Sequence, residues 1–229
     1  MFRVKKRRRG AAIVDTGHRG LSFWHKLTRY VGRSLGRQRI YLIGDTHFDH
    51  TNIIKYCHRP FKRTQEMNET LVANWNKIVA PKDTVYFLGD WGFGRGHKPA
   101  TYWRRRLRGH IVSIKGSHDG REKGIRFKDY KVIKYHGYSF LLIHNPNPDD
   151  PRQTENQKRK LKNWHGWIIH GHKHNNNMRN YPFINGRWKT INVAVELINY
   201  KPVSLDYLVS LGLDSIKRMD TVDSKPERK

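Results

Sequence analysis

Five short apolar runs, each followed by acidic or imidazole side chains, constrain the fold of this chain more than any other feature. The runs read IYLIG, TVYFLG, HIVSIKG, SFLLIH and GWIIHG. Runs of this length and composition are typical of buried strands. Helical patterns occupy residues 64–81 and 99–107, and Asn185-Gly186 indicates a hairpin turn. We therefore predict an α/β fold, a layered sandwich with mixed sheets.

The residues at the ends of these runs are of the types that bind divalent cations. Asp45 and His47 follow the first run, Asp90 the second, and Ser117, His118 and Asp119 the third, while His144 ends the fourth and His170, His172 and His174 belong to the fifth. Ligands of α/β sheets bind beyond the carboxyl ends of strands, where residues distant in sequence can converge. Paired cations need oxygen and nitrogen ligands from several directions. We therefore predict a centre for two divalent metal ions.

The choice of ion depends on the cysteine content. Cys57 is the single cysteine, which excludes an internal disulfide framework and a thiolate-rich zinc site. We interpret it as a small buried side chain and expect a reducing, cytoplasmic environment, with no run long enough to cross a membrane. Ligands of this type favour Mn²⁺, which we prefer, or Fe, Co²⁺, Ni²⁺ or Zn²⁺.

The five motifs together resemble those of the calcineurin-like metallophosphoesterase family, and of its small bacterial and phage members in particular. They read GDTHFDH, LGDWG, KGSHDG, LLIHN and HGHKH, and the resemblance extends from about residue 39 to about residue 200. It implies a four-layer αββα sandwich of two mixed β-sheets flanked by helices. It also implies hydrolysis of a phosphoester, in which a metal-bridging hydroxide attacks phosphorus.

The resemblance also implies a role for each motif residue. Asp45, His47 and His174 would hold one metal ion, Asp90 would bridge, and His144 and His172 would hold the other, with His118 protonating the leaving group and Asp119 orienting the His118 ring. Ser117 stands where the family pattern has a metal-binding Asn, and its hydroxyl is a shorter and poorer ligand. A weaker second site and a chain without catalysis both remain open. His50 and His170 match no ligand position, so they either support the ligands or belong to the core.

The charge of the chain points to a polyanionic partner. Lys and Arg number 46 against 19 Asp and Glu, a net charge of +27. Residues 1–38 form a basic extension with a predicted amphipathic helix, which could lie on nucleic acid, on an anionic membrane or against the domain. Residues 39–213 form the predicted catalytic domain, in which 145–165 is a candidate lid or mobile loop. Residues 214–229 are predicted to be a disordered polar tail.

Three functions are compatible with these features. The leading hypothesis is a phosphodiesterase or nuclease that acts on nucleic acid or nucleotides. The alternatives are a non-catalytic module that binds nucleic acid or an anionic surface, and a phosphomonoesterase for a small metabolite. Arg104 and Arg105 beside Trp103 could contact phosphates or simply be solvated, and Arg59 could clamp a phosphate or form an ion pair. The oligomeric state is left open.

Overall fold

A computed structural model describes residues 37–229. Almost all of the predicted basic extension, residues 1–38, lies outside the described residues. Two sheets form the framework. Their strands are β1 (Ile40–Ile43), β2 (Thr84–Phe87), β3 (His110–Ser113), β4 (Tyr130–Tyr135), β5 (Tyr138–Ile143), β6 (Trp167–His170), β7 (Ile184–Asn185), β8 (Thr190–Asn192), β9 (Val203–Ser204), β10 (Ile216–Met219) and β11 (Glu227–Arg228).

Both sheets are mixed, as predicted. The four-stranded sheet has the order β3-β2-β1-β9, with β1, β2 and β3 parallel and β9 antiparallel. The seven-stranded sheet has the order β11-β10-β7-β8-β6-β5-β4, in which β5, β6 and β8 are parallel. A parallel bridge between Gly44 and Ala194 joins the chain just beyond β1 to the chain just beyond β8. The carboxyl ends of the parallel strands in both sheets therefore meet.

The core shows how the layers stack. Alternate residues of a strand face opposite sides of a sheet. On β5, Phe140 and Leu142 enter the main core, which also contains β1 and β2, whereas Leu141 and Ile143 pack on the other side with Leu161. Leu161 belongs to the helix Glu155–Lys162, so the seven-stranded sheet lies between the main core and a helix. The predicted αββα sandwich is confirmed.

The described residues form five α-helices: α1 (Thr51–Tyr56), α2 (Thr64–Ile78), α3 (Ala100–Arg106), α4 (Glu155–Lys162) and α5 (Leu205–Ser210). Helices α2 and α3 correspond to the predicted helical patterns over residues 64–81 and 99–107, whereas the other three were not predicted. Helix α2 buries Met67, Leu71 and Trp75, and Trp75 is among the largest fully buried side chains. Helix α4 lies inside segment 145–165, where we predicted a loop. It begins with a capping box between Thr154 and Gln157. Among the described residues, every helix falls short of the length and apolarity that a membrane span requires.

The prediction that residues 214–229 form a disordered tail is wrong. Strand β10 pairs with β7, and β11 pairs with β10. Ile216 and Met219 of β10 are fully buried, while Lys217 between them is exposed. A register shift between Ile216 and Arg218 interrupts the alternation of apolar and polar residues that identifies a strand. The sequence therefore lacks the period-two pattern, and its charged residues resemble a solvated tail.

A pair of substitutions tests the order of this segment. Ile216→Ala should lower the free energy of unfolding by about 2–5 kcal/mol, because it leaves a cavity in the core. Lys217→Ala, one position along the same strand, should change it by less than about 0.5 kcal/mol. Urea unfolding of the two variants and the parent protein measures both values. Equal stabilities for the two variants would contradict the placement of β10.

Candidate metal centre

The loops that follow the strands are interlocked by backbone hydrogen bonds. The N–H of Asp45 donates to the carbonyl of Gly89 at 3.0 Å, and the N–H of His47 donates to the carbonyl of Asp90 at 3.1 Å. These bonds join the loop after β1 to the loop after β2. The N–H of Gly171 donates to the carbonyl of His144 at 3.0 Å and so joins the ends of β5 and β6.

The structure brings six of the predicted ligands into two groups. The first group is Asp45, His47 and His174, and the second is Asp90, His144 and His172. Within each group, the possible ligand atoms lie within 4.8 Å of one another. The division is the one that the resemblance implies, with Asp90 placed in the second group.

The carboxylate of Asp90 links the two groups. Its Oδ2 lies 3.3 Å from His144 Nε2 in its own group and 3.6 Å from His47 Nε2 in the other. One oxygen atom is thus close to an imidazole nitrogen on each side. This is the position that a bridging ligand of two cations requires.

Several of these residues have backbone angles that are unusual outside glycine. Positive φ angles occur at Asp45 (58°), His47 (48°), Asp90 (61°), His172 (67°) and His174 (44°). Asp and His tolerate this left-handed region better than bulky residues do, but each instance still costs about 1–3 kcal/mol. Such strain persists only where the surrounding structure enforces it. The surrounding structure therefore enforces the conformation of these loops.

Backbone groups also orient the two carboxylates. The N–H of His172 donates to both oxygens of Asp45 at 2.9 Å, and the N–H of His118 donates to Oδ1 of Asp90 at 2.8 Å. A Cβ at Gly171 would lie 2.2 Å from the Asp45 carboxylate, and a Cβ at Gly116 would lie 2.2 Å from the Asp90 carboxylate. Glycine is needed at both positions so that the backbone can approach the carboxylates closely.

The imidazole groups fit a pair of divalent cations. The His144 Nδ1 donates to the carbonyl of Leu88 at 2.7 Å, because a carbonyl can only accept. This bond leaves Nε2 of His144, which faces Asp90 Oδ2 at 3.3 Å, to carry a proton or bind an ion. Both ring nitrogens of His47 are buried and have no hydrogen-bond partner, and such atoms are costly unless they coordinate an ion.

The carboxylates of the site raise the proton affinity of two candidate ligands. Burial alone would lower the pKa of His144, but the Asp90 carboxylate raises it to about 9. Burial would likewise lower the pKa of His174, and the carboxylates of Glu196 and Asp45 raise it to about 11. Burial and the neighbouring His144 lower the pKa of His172 to about 3. Cation binding must therefore displace protons from His144 and His174.

Comparison with known proteins identifies the family. The chain matches the calcineurin-like phosphoesterase superfamily domain over residues 39–193. The chain belongs to the calcineurin-like phosphoesterase superfamily. It is 52% identical to an uncharacterised protein of Methanocaldococcus jannaschii over 178 residues, which cover 77% of this chain and 93% of that protein. The crystal structure of an Aquifex aeolicus protein of unknown function is similar with a TM-score of 0.59 at 28% identity, covering 76% of this chain and all of that one.

Glu196 is a residue of this calcineurin-like phosphoesterase that the sequence analysis missed. Its Oε1 lies 3.1 Å from His174 Nδ1. This contact leaves the Nε2 of His174 for the first metal group, 3.9 Å from Asp45 Oδ1. A carboxylate behind a ligating histidine fixes the tautomer and orientation of its ring. The Cys57 thiol lies close to His174 and Glu196 as well, and it is buried as predicted.

Arg59 is part of the same arrangement, and its predicted role as a phosphate clamp is not supported. The side chain is only 4% exposed. Its Nε and Nη2 donate to Glu196 Oε1 at 2.9 and 2.7 Å, and its remaining contacts include the carbonyls of Asp45 and Thr46 at 2.8 Å. Its donors face protein acceptors rather than solvent. The guanidinium therefore positions Glu196 and the loop after β1, which corresponds to the ion-pair alternative.

The loop after β3 lies beside both groups. Ser117 Oγ is 3.2 Å from His172 Nδ1, the nitrogen that also lies 3.2 Å from His144 Nε2. The side chain of Ser117 thus reaches the second group. His118 is exposed, and its ring centroid is 5.5 Å from that of His47.

Asp119 has a different role from the one implied by the resemblance. Its carboxylate accepts the backbone N–H groups of Asp90, Trp91 and Gly116 at 2.8–3.0 Å. It therefore ties the loop after β2 to the loop after β3. The prediction that it orients the His118 ring is replaced by this backbone role.

Of the remaining predicted residues, Arg104 and Arg105 are not brought to the metal groups. They line a surface depression with Thr101, Lys123 and Gly124. His170 is a core residue, as one of the two interpretations expected. Burial lowers its pKa to about 3, and its Nδ1 contacts the carbonyl of Gly171 at 2.8 Å.

Segment 145–165 contains an ion pair, Arg152 and Asp150, that lies at the second group and was not predicted from the sequence. Arg152 Nη2 lies 3.4 Å from His172 Nε2, and the side chain is 59% exposed. Asp150 pairs with this guanidinium at 2.8 Å and accepts from Asn145 at 2.8 Å. The side-chain hydrogen bond from Arg152 is the main cause that holds the pKa of Asp150 well below its usual range. The composition of the segment indicated a loop and gave no sign of this contact.

Replacing Glu196 tests its role behind His174. Glu196→Gln should weaken metal binding at one of the two sites about 10- to 100-fold, because the His174 ring loses its orienting carboxylate. Calorimetric titration of metal-stripped protein with Mn²⁺ resolves the two affinities. Glu69→Gln, which removes an exposed partner of Arg106, is the matched control. Equal weakening of both sites, or no change in either, would contradict this role.

Two substitutions at position 117 test whether Ser117 occupies a metal-ligand position. The amide oxygen of Asn is a better neutral ligand than a serine hydroxyl and reaches further. Ser117→Asn should therefore tighten the second metal site, and Ser117→Ala should not. The same titration measures both variants. Unchanged stoichiometry and affinity in Ser117→Asn would count against a ligand position here.

Proposed function

We propose that this member of the superfamily is a phosphodiesterase that requires two divalent metal ions and acts on nucleic acid or nucleotides. Its membership supports a metal-dependent phosphoesterase in general. The observation that carries the proposal is the position of Asp90 Oδ2 between His47 Nε2 and His144 Nε2. A carboxylate shared by two ligand groups is suited to two ions, whereas a single ion would need only one group.

The residues of the two groups have distinct tasks. Asp45, His47 and His174 would hold one ion, His144 and His172 the other, and Asp90 both, with Ser117 beside the second ion. Two divalent ions bound there would activate water and neutralise charge on the phosphoryl oxygens. The hard and borderline donor set is compatible with Mn²⁺, which we favour, and with Fe, Co²⁺, Ni²⁺ or Zn²⁺.

His118 is the residue that we propose as the proton donor to the leaving group. Its backbone N–H is fixed by Asp90 Oδ1 at 2.8 Å, so the residue is anchored to the bridging carboxylate. Its side chain is exposed and lies at the edge of the His47 ring. An imidazolium at this position can protonate an alkoxide as the bond from phosphorus breaks.

The substrate class is proposed from charge. The net charge of +27 favours a substrate with several phosphates over a small neutral ester. Arg152 adds a local contact: its Nε and Nη2 pair with Asp150, and the rest of its exposed guanidinium next to His172 could donate to a phosphate. Arg104 and Arg105 form a second basic surface on α3, which could contact a longer chain.

A non-catalytic binding module is the second candidate function. The observation that favours it is Ser117, whose hydroxyl stands next to His172 where a stronger ligand is expected. A chain with a weak second ion would retain the basic surface and lose hydrolysis. We prefer the enzyme because the two groups, the position of Asp90 between them and the exposed His118 all support it.

Activity measurements distinguish these functions. With Mn²⁺, the protein should hydrolyse DNA, RNA or cyclic dinucleotides faster than phosphomonoesters. His118→Ala should lower the rate about 10²- to 10⁴-fold on diesters with an alkoxide leaving group. The loss should be smaller on bis(p-nitrophenyl) phosphate, whose leaving group needs little protonation.

His110→Ala is the matched control, because His110 is an exposed histidine at the start of β3 and belongs to neither metal group. It should keep the parent rate. Nucleic acid binding without hydrolysis in any metal would support the binding module instead. Faster turnover of monoesters would support the metabolite phosphatase.

A further inference from the structure

A cluster of aromatic rings lies beside His118. The Phe93 ring is 40% exposed, and its centroid is 4.3 Å from that of His118 and 4.9 Å from that of His50. Tyr56, which is 62% exposed, also lies beside His50, at 6.2 Å between centroids. His50 itself is 5.5 Å from the ring of the proposed ligand His47. Phe93 and Tyr56 therefore both lie next to a ring that contacts the metal centre, and Phe93 also contacts the candidate acid.

The backbone holds Phe93 in this exposed position. The Phe93 N–H donates to the carbonyl of Phe48 at 3.2 Å, and the neighbouring Trp91 N–H donates to Asp119 at 3.0 Å. A Cβ on Gly92 would come within 2.9 Å of the Phe48 carbonyl, so the two loops are packed as closely as glycine allows. Phe93 therefore protrudes from a backbone that is fixed on both sides.

Single exposed aromatic side chains are common on protein surfaces, so exposure alone is not informative. Their distribution here is informative. Among the described residues, the large hydrophobic side chains that are exposed are Tyr56, Phe93, Tyr102 and Trp188. The cationic groups of Lys98 and Arg106 lie over Tyr102, and the Trp188 ring packs against Tyr181. The other two both contact His50 beside the metal centre.

We propose that Phe93, together with Tyr56, forms a stacking subsite for a nucleobase next to the phosphodiester. The inference rests on the proposed function and specifies its substrate. A flat aromatic face beside a phosphate-binding centre fits a base attached to that phosphate, because every base can stack on an aromatic ring. The net charge of +27 favours a polyanionic substrate in general. A phosphorylated sugar or an alkyl phosphodiester has no flat face to place there.

Two substrates that differ only in their bases test the subsite. Dithymidine monophosphate and its abasic analogue share the same sugar-phosphate chain, and chromatography follows the hydrolysis of both with Mn²⁺. The protein should prefer the dinucleotide in kcat/KM. In Phe93→Ala this preference should fall about 10- to 100-fold, mainly through KM, which is the scale of one stacked base. Phe93→Trp should retain the preference because it restores a stacking face.

The matched control is Trp188→Ala, which removes an exposed aromatic ring from the hairpin between β7 and β8 and should leave the preference unchanged. Equal hydrolysis of both substrates by the parent protein would overturn the subsite. An equal effect of Phe93→Ala on both substrates would also overturn it, because the ring would then only shape the site.

Failure of the proposed function can be distinguished from failure of the subsite. If neither substrate is cleaved, the phosphodiesterase assignment fails, and calorimetric binding of dithymidine monophosphate still decides the subsite. Weaker binding of the dinucleotide by Phe93→Ala than by the parent protein and Phe93→Trp supports the subsite. Identical binding by all three proteins overturns it.

Discussion

The buried carboxylate of Asp90 is the interaction on which the rest of the site depends. It is 2% exposed, and burying an ionised carboxylate is costly unless charges and hydrogen bonds compensate it. The compensating groups are the imidazoles of His47 and His144 and the backbone N–H of His118. They come from the ends of β1, β5 and β3, so one charge requires four loops to meet. Together they hold the pKa of Asp90 well below its usual range, against the effect of burial.

The packing of the core offsets the free-energy cost of bringing these loops together. The ligand loops contain residues with positive φ at a cost of about 1–3 kcal/mol each. The sheets that hold these loops bury a continuous core whose largest members include Trp75, Phe87 and Phe140. Asp119 then fixes two of the loops to each other through three backbone N–H groups. Core packing and these backbone hydrogen bonds thus contribute to the geometry of the candidate ligands.

The parts of the site that could be predicted from sequence are those with a local signal. Asp45, Asp90 and His144 each stand at the end of a buried apolar run, and the topology of the parallel strands brings such positions together. The ion pair of Arg59 and Glu196 has no such signal, because its members are 137 residues apart and neither follows a motif. Its burial could be recognised only once the fold placed both side chains behind His174.

Other errors have equally specific causes. Asp119 lies next to His118 in sequence, yet its carboxylate turns to the backbone of two loops, and adjacency in the chain does not reveal that direction. The charged segment 145–165 has the composition of a loop, which led us to predict one. Thr154 and Gln157 nevertheless cap a helix within it. Strand β10 was missed because a bulge removes its alternating pattern.

The two metal groups differ in how they are enclosed, and the difference bears on the direction of substrate approach. Behind the first group lies the buried ion pair of Arg59 and Glu196. At the second group stand the exposed Ser117 and the exposed guanidinium of Arg152, both in contact with His172. The exposed side chain of His118 lies instead beside His47 of the first group, and the Phe93 ring lies next to His118. A phosphate that approaches from solvent would therefore meet a guanidinium at the second group and the candidate acid at the first.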